Sequence, residues 1–142
     1  MRAEHEVTID RPPADVFTLL TDLNRVPEWQ SSLEELSLSS GAPLRVGSQL
    51  REVRTLLGRR VESSLEVTAL EPAREFSLRV LSGPLPFHVK HRLEPVGAGT
   101  RLYVTGEAET GGFFSFAERL VERRARRQFE RDFSAFKGLL ER

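Results

Sequence analysis

The last thirty residues contain no proline. Their apolar positions (Phe113, Phe116, Ala117, Leu120, Val121, Ala125, Phe129, Phe133, Phe136 and Leu140) recur at three- and four-residue spacing. This predicts one long amphipathic helix over Phe113–Arg142, and a helix with one apolar stripe must bury it against another layer. The rest of the chain offers mostly strands. Ala3–Asp10 alternates, with His5, Val7 and Ile9 on one face and Glu4, Glu6, Thr8 and Asp10 on the other. "LEELSLSS" (Leu33–Ser40) alternates too, and "SQLREVRTLLGRRVESSLEVTALEP" reads as two strands joined at Gly58-Arg59. "REFSLRVLSG", "FHVKHRLEPV" and "TRLYVTGEAE" continue the series.

Between the first two strands the pattern changes. Pro12 and Pro13 end the first strand, and Pro13 suits the first turn of a helix, where its missing N–H is not needed. Val16, Phe17, Leu19 and Leu20 form an apolar helical face. Asp22 or Asn24 caps a second short turn, which Pro27 closes before Trp29. Both helices fall short of the roughly 12–15 residues at which isolated helices become marginal, so packing must hold them. The expected order is strand, two short helices, six strands and a long helix: an α+β fold in a single domain, residues 1–142.

Composition narrows the function. Lys and Arg number 21 against 21 Asp and Glu, so no overall field draws the chain to nucleic acid or membrane. There is no cysteine, which excludes disulfides, thiolate catalysis and Cys-ligated metals. "MRAEHEV" is too charged for a signal peptide, and no apolar run reaches the roughly 18 residues of a membrane span. A cytoplasmic location is expected.

The residues "IDRPPADVF" followed by Trp29 resemble the opening of START-like helix-grip proteins, the polyketide cyclase/dehydrase and lipid-transport group also called SRPBCC. The resemblance continues through "VGSQLREVRTLLGRRVESSLEVTALEPAREF", "HRLEPVGAGTRLYV" and the terminal helix. It implies a seven-stranded antiparallel sheet curled around the long C-terminal helix. The two short helices would plug one end, Trp29 would pack at the rim or lining, and an apolar cavity would lie between sheet and helix. Members of the group bind lipids, sterols, polyketides or plant hormones, some cyclise or dehydrate polyketides, and others assist partner proteins. The function therefore has to be argued from the side chains that face the cavity.

A two-residue turn at Gly58-Arg59 pairs Leu57 with Arg60, Leu56 with Val61, Arg54 with Ser63, Glu52 with Leu65 and Leu50 with Val67. The apolar content of that face marks it as the inner one, although it includes Glu52 and Arg54. A three-residue turn would instead send Val53 and Thr55 inward. On later strands Phe76, Leu78, Val80, Phe87, Val89, His91, Leu93, Leu102, Val104, Gly106 and Ala108 point inward, and Tyr103 points out. On the helix, Arg124 and Gln128 fall within the stripe between Leu120/Val121 and Phe129. Trp29, Glu52, Arg54, Ser63, Leu65, Phe76, Leu78, Phe87, Val89, His91, Phe116, Leu120 and Arg124 are thus the expected ligand-binding residues, with His5 and Gln128 beside them. Phe76, Phe87 and Phe116 are large enough to close the interior.

Each polar candidate has a plainer reading. Glu52 and Arg54 pair with each other at i, i+2, His91 is a wall histidine, and the basic run "ERRARRQFER" is a solvated face with pairs such as Glu122–Arg126. His88 and His91 lie on opposite strand faces and cannot clamp a metal together. No zinc pattern, GxSxG, P-loop or dinucleotide fingerprint occurs, Gly111-Gly112 notwithstanding, so no cofactor is expected. Three functions remain open. The first is binding or transport of a small hydrophobic or amphipathic ligand by a monomer or homodimer. The second is a cyclase or dehydratase with His91 as acid or base. The third is a module whose basic helix face docks a partner or makes peripheral membrane contact. Nucleic acid is not an expected partner.

Overall fold

The computed structural model describes residues 1–56, 58–84, 86–108 and 115–142, the side chains of residues 115–117 excepted. Leu57, Gly111, Gly112 and Phe113, and the side chains of Phe116 and Ala117, lie outside the described residues. The strands are β1 (Arg2–Ile9), β2 (Leu33–Leu38), β3 (Gln49–Leu56), β4 (Arg59–Glu71), β5 (Glu75–Ser82), β6 (His88–Val96) and β7 (Gly99–Glu107). They form one antiparallel sheet in the order β1-β7-β6-β5-β4-β3-β2. Helix α1 spans Pro13–Leu20, a 3₁₀ helix spans Leu23–Glu28, and α2 spans Ser115–Leu140.

The short helices follow from local chemistry. Pro13 occupies the first turn of α1, whose buried residues are Val16, Phe17, Leu19 and Leu20. Asp22 precedes the 3₁₀ helix without capping it through its side chain, and Pro27 lies inside that helix instead of ending it. The shorter i→i+3 pattern runs on to Glu28 and leaves Trp29 at its end.

The β3–β4 hairpin keeps the expected faces but not the expected partners. Leu56 pairs with Arg59, Arg54 with Val61, Glu52 with Ser63 and Leu50 with Leu65. The connecting residues are 57 and 58, not 58 and 59, and Gly58 takes φ 76° as the second of them. Positive φ favours glycine at that position. The shift moves every pairing by two residues, so the parity of the faces survives. Val53 is buried all the same, yet outside the main core. It pairs with Glu35 and Glu62 on the outer face, where Arg51 binds both carboxylates at 2.9 and 2.8 Å.

Helix α2 runs along the free edge of β1. The Arg2 N–H donates to Glu122 Oε1 at 3.0 Å, Lys137 Nζ donates to the Thr8 carbonyl at 2.6 Å, and the Asp10 N–H donates to Glu141 Oε2 at 2.8 Å. From Glu122 to Glu141 a helix rises about 28 Å, against about 26 Å for a strand from Arg2 to Asp10. The two elements match in length, and the unpaired strand groups meet side chains instead of another sheet edge.

Candidate functional site

The inner face of the sheet divides into two halves. Ile9, Leu50, Leu65, Val67, Phe76, Leu93, Leu102 and Val104 are buried in the core that also contains α1 and the last turns of α2. Toward the β5–β6 connection, the inward residues Val61, Ser63, Leu78, Val80, Phe87 and Val89 are only half-buried. Leu56, also on this face, is exposed.

Aromatic rings close the lower half. Trp29 packs on Phe133 and Phe136 with ring centroids 5.2 and 4.9 Å away, in tilted and edge arrangements that suit aromatic quadrupoles. Phe76 stacks on His91 at 5.9 Å, His91 lies 6.0 Å from Phe133, and His5 lies 6.1 Å from the same ring. Phe129 reaches β7 because Gly106 has no Cβ; one added there would stand 3.0 Å from the ring's Cζ. Trp29 is thus a floor residue of the core, 3% exposed, and its indole N–H is buried without a partner among the described residues. The expected cavity at the level of Leu65, Phe76 and His91 is filled.

A polar cluster borders this floor. Arg54 grips Glu52 through Nε at 2.9 Å and Nη2 at 3.0 Å, and donates to Gln30 Oε1 at 2.6 Å and Ser32 Oγ at 3.0 Å. Four donor interactions nearly exhaust the five N–H groups of a guanidinium. Arg54 therefore ties the segment entering β2 to β3, and Glu52, 5% exposed, has its charge matched. Across the interior, Asp132 is buried, and burial raises its pKa against the hydrogen bond from Gln128 Nε2 at 2.7 Å and the charges of Arg54 and Arg131.

His91 donates Nδ1–H to the Phe76 carbonyl at 2.8 Å. Burial lowers its pKa to about 4, against the opposing pull of that hydrogen bond. At neutral pH the ring is uncharged, and Nε2 is left as an acceptor.

The other expected residues scatter. Ser63, Leu78, Phe87 and Val89 lie on the half-covered upper face, and Leu65 lies wholly in the core. Leu120 is 44% exposed and Arg124 is exposed, which corrects their expected inward direction. At about 100° per residue, the buried Phe133 and Phe136 and the half-buried Phe129 set the inner direction of α2, and Leu120 falls nearly opposite. Including Leu120 made the stripe look too wide and drew Arg124 in with it. Glu122 bonds Arg2 in place of the expected pair with Arg126, and the α2 ion pair at i, i+4 among the described residues is Lys137–Glu141. Asp132 and Gln30 escaped the sequence reading. Asp132 was findable: it sits four residues after Gln128 and four before Phe136, on the inner side.

Two open grooves lie elsewhere. One of about 520 Å³ borders the β4–β5 turn at Ala73 and Arg74, and one of about 540 Å³ crosses the outer face around Lys90 and Tyr103. Both mix acids with bases, and neither opens between sheet and α2. Among the described residues no group of three or more His, Asp or Glu side chains stands ready to hold a metal, and no helix is long and apolar enough to cross a membrane.

The family model for polyketide cyclase / dehydrase and lipid transport matches residues 1–141. Among curated proteins none matches the chain by sequence. Of the solved structures, a START superfamily protein from Mycobacterium smegmatis superposes with a TM-score of 0.81 at 17% identity, over 99% of this chain and 97% of that one. The Zhui aromatase/cyclase from Streptomyces sp. R1128 gives 0.79 at 21% identity, over 100% and 94%. TTHA0849 from Thermus thermophilus gives 0.79 at 20% identity, over 97% and 95%. At such identities these likenesses establish the fold alone, a helix grip.

Proposed function

Because the chain belongs to the polyketide cyclase / dehydrase and lipid transport family, we propose that it binds a small hydrophobic or amphipathic molecule of the lipid, isoprenoid or polyketide kind. The guest lies between the upper concave face of the sheet and the first half of α2. The observation that carries this reading is the change in cover along the inner face: Val61, Leu78, Val80, Phe87 and Val89 face inward, are apolar, and are only half-buried. Covering that surface with an apolar guest stabilises the complex by about 25 cal/mol per Å² before ordering costs. With Arg54 and Glu52 bound to each other and His91 packed into the filled floor, the polar end of the guest falls to the Ser63 hydroxyl. A neutral imidazole with a pKa near 4 is a weak general acid at neutral pH, so binding is favoured over His91-driven cyclisation.

Thermal melts with oleate and oleyl alcohol as probes test the reading. Both probes should raise the melting temperature. Val80→Arg and Val89→Arg, on half-buried positions, should abolish the rise with little change in the unliganded melt. A rise that survives both variants would remove the upper face from the account.

A further inference from the structure

Helix α2 extends past the sheet at one end. Glu122 is level with Arg2, the first residue of β1, so Ser115–Val121 project about 10 Å beyond it. Leu120 and Val121 on this projection are 44% and 38% exposed. Arg119, Arg123, Arg124, Arg126 and Arg127 are exposed, and none makes an ion pair or hydrogen bond among the described residues. Two acids lie between Ser115 and Arg127: Glu122 accepts from the Arg2 N–H, and Glu118 is engaged as well. β6 starts at this end, because His88 pairs with Glu107 and Arg2 pairs with Glu107 as well. The β5–β6 connection and the β3–β4 tip therefore lie there too, and they expose Leu81, Pro84, Pro86 and Leu56.

In a chain whose formal charges cancel, five unpaired arginines on one helix are a strong segregation, and apolar side chains from three elements are exposed at the same end of the molecule. We infer that this end docks on the surface of an anionic phospholipid bilayer, the arginines meeting lipid phosphates and Leu120, Leu56 and Leu81 entering the headgroup layer. A bilayer fits better than a folded acidic partner or a nucleic acid. The guanidiniums line a convex helix with no pocket and no aromatic platform, so a fluid array of phosphates matches them in any arrangement. The inference stands whether or not the interior takes a guest.

Co-sedimentation of the full chain with extruded vesicles tests it, using phosphatidylcholine alone or with about 30% phosphatidylglycerol, a surface at which each arginine is worth about fivefold in partitioning. The protein should pellet with the anionic vesicles, remain in solution with the neutral ones, and come off as salt rises toward roughly 1 M, where the screening length shrinks to about 3 Å. The double variant Arg123→Glu/Arg127→Glu should lose at least about tenfold in partitioning with its melting temperature unchanged, and Leu120→Ser should lose less. Failure to pellet with anionic vesicles, equal binding to neutral ones, or a double variant that binds like the parent would each overturn the proposal. So would retention on polyuridylic acid or an acidic protein without vesicle binding.

Discussion

At His91 the sheet takes an imidazole out of water and commits its Nδ1–H to the Phe76 carbonyl. The unfolded chain binds a proton at this residue below pH 6.5, whereas the folded chain does so only near pH 4. The folded pKa is depressed, so the contribution to stability is complete above pH 6.5 and is lost as pH falls from 6.5 toward 4, by about 3 kcal/mol in all. His5 and His88, lowered by burial, act in the same direction, and Asp132, raised by burial, acts against them. The diagnostic is therefore a difference: urea melts of the parent and His91→Gln across that window should show a shallower pH slope in the variant, and equal slopes would contradict the buried neutral ring. Two glycines make opposite predictions. Gly138, in α2, has nothing within 4 Å of an added Cβ, so Gly138→Ala should stabilise by about 0.5–1 kcal/mol. Gly106→Ala, pressed against Phe129, should cost roughly 1–3 kcal/mol. The inward direction of His91 was legible from strand alternation. Its hydrogen bond was not, because the Phe76 carbonyl lies on a neighbouring strand whose register no local pattern sets.

Among the elements, the β3–β4 hairpin shows what a period of two can and cannot tell. Leu50, Glu52 and Arg54 were placed on the inner face because parity survives a slip of two residues, but the partner of each changed. The long helix was readable in extent from its missing proline and apolar spacing, whereas its inner direction was skewed by Leu120, an apolar residue that faces out. The Glu52–Arg54 pair was legible at i, i+2, but Gln30 and Ser32 reach Arg54 across the turn into β2, which only the folded chain brings close. That network joins two elements, so removing Arg54 leaves the Glu52 charge buried. Arg54→Ala should cost about 3–5 kcal/mol, and the double variant Glu52→Met/Arg54→Met should recover most of it. Chemical denaturation measures both, and equal costs for the single and double variants would show that the pair is not the source.

For the whole molecule, a sheet of seven strands is filled at one end by Trp29, Phe76, His91, Phe133 and Phe136, and left half-covered at the other. The curled sheet, the plug and the gripping helix could be anticipated from the order of elements and from "IDRPPADVF" with Trp29. That aromatics such as Phe76 could close the interior was legible too; which half they fill was not, because ring packing between α2 and the sheet depends on which turn of the helix meets which strand. The half-covered surface is the upper concave face, at the end of the sheet beyond which the arginine-rich start of α2 projects. Intermolecular NOEs between oleate and the methyl groups of the labelled protein test this most directly. Cross-peaks to Val61, Leu78, Val80 and Val89, and none to the outer-face Val53, are the predicted result. A bound oleate whose contacts lie on the outer face or at the β4–β5 turn, with the upper-face methyls silent, would contradict it.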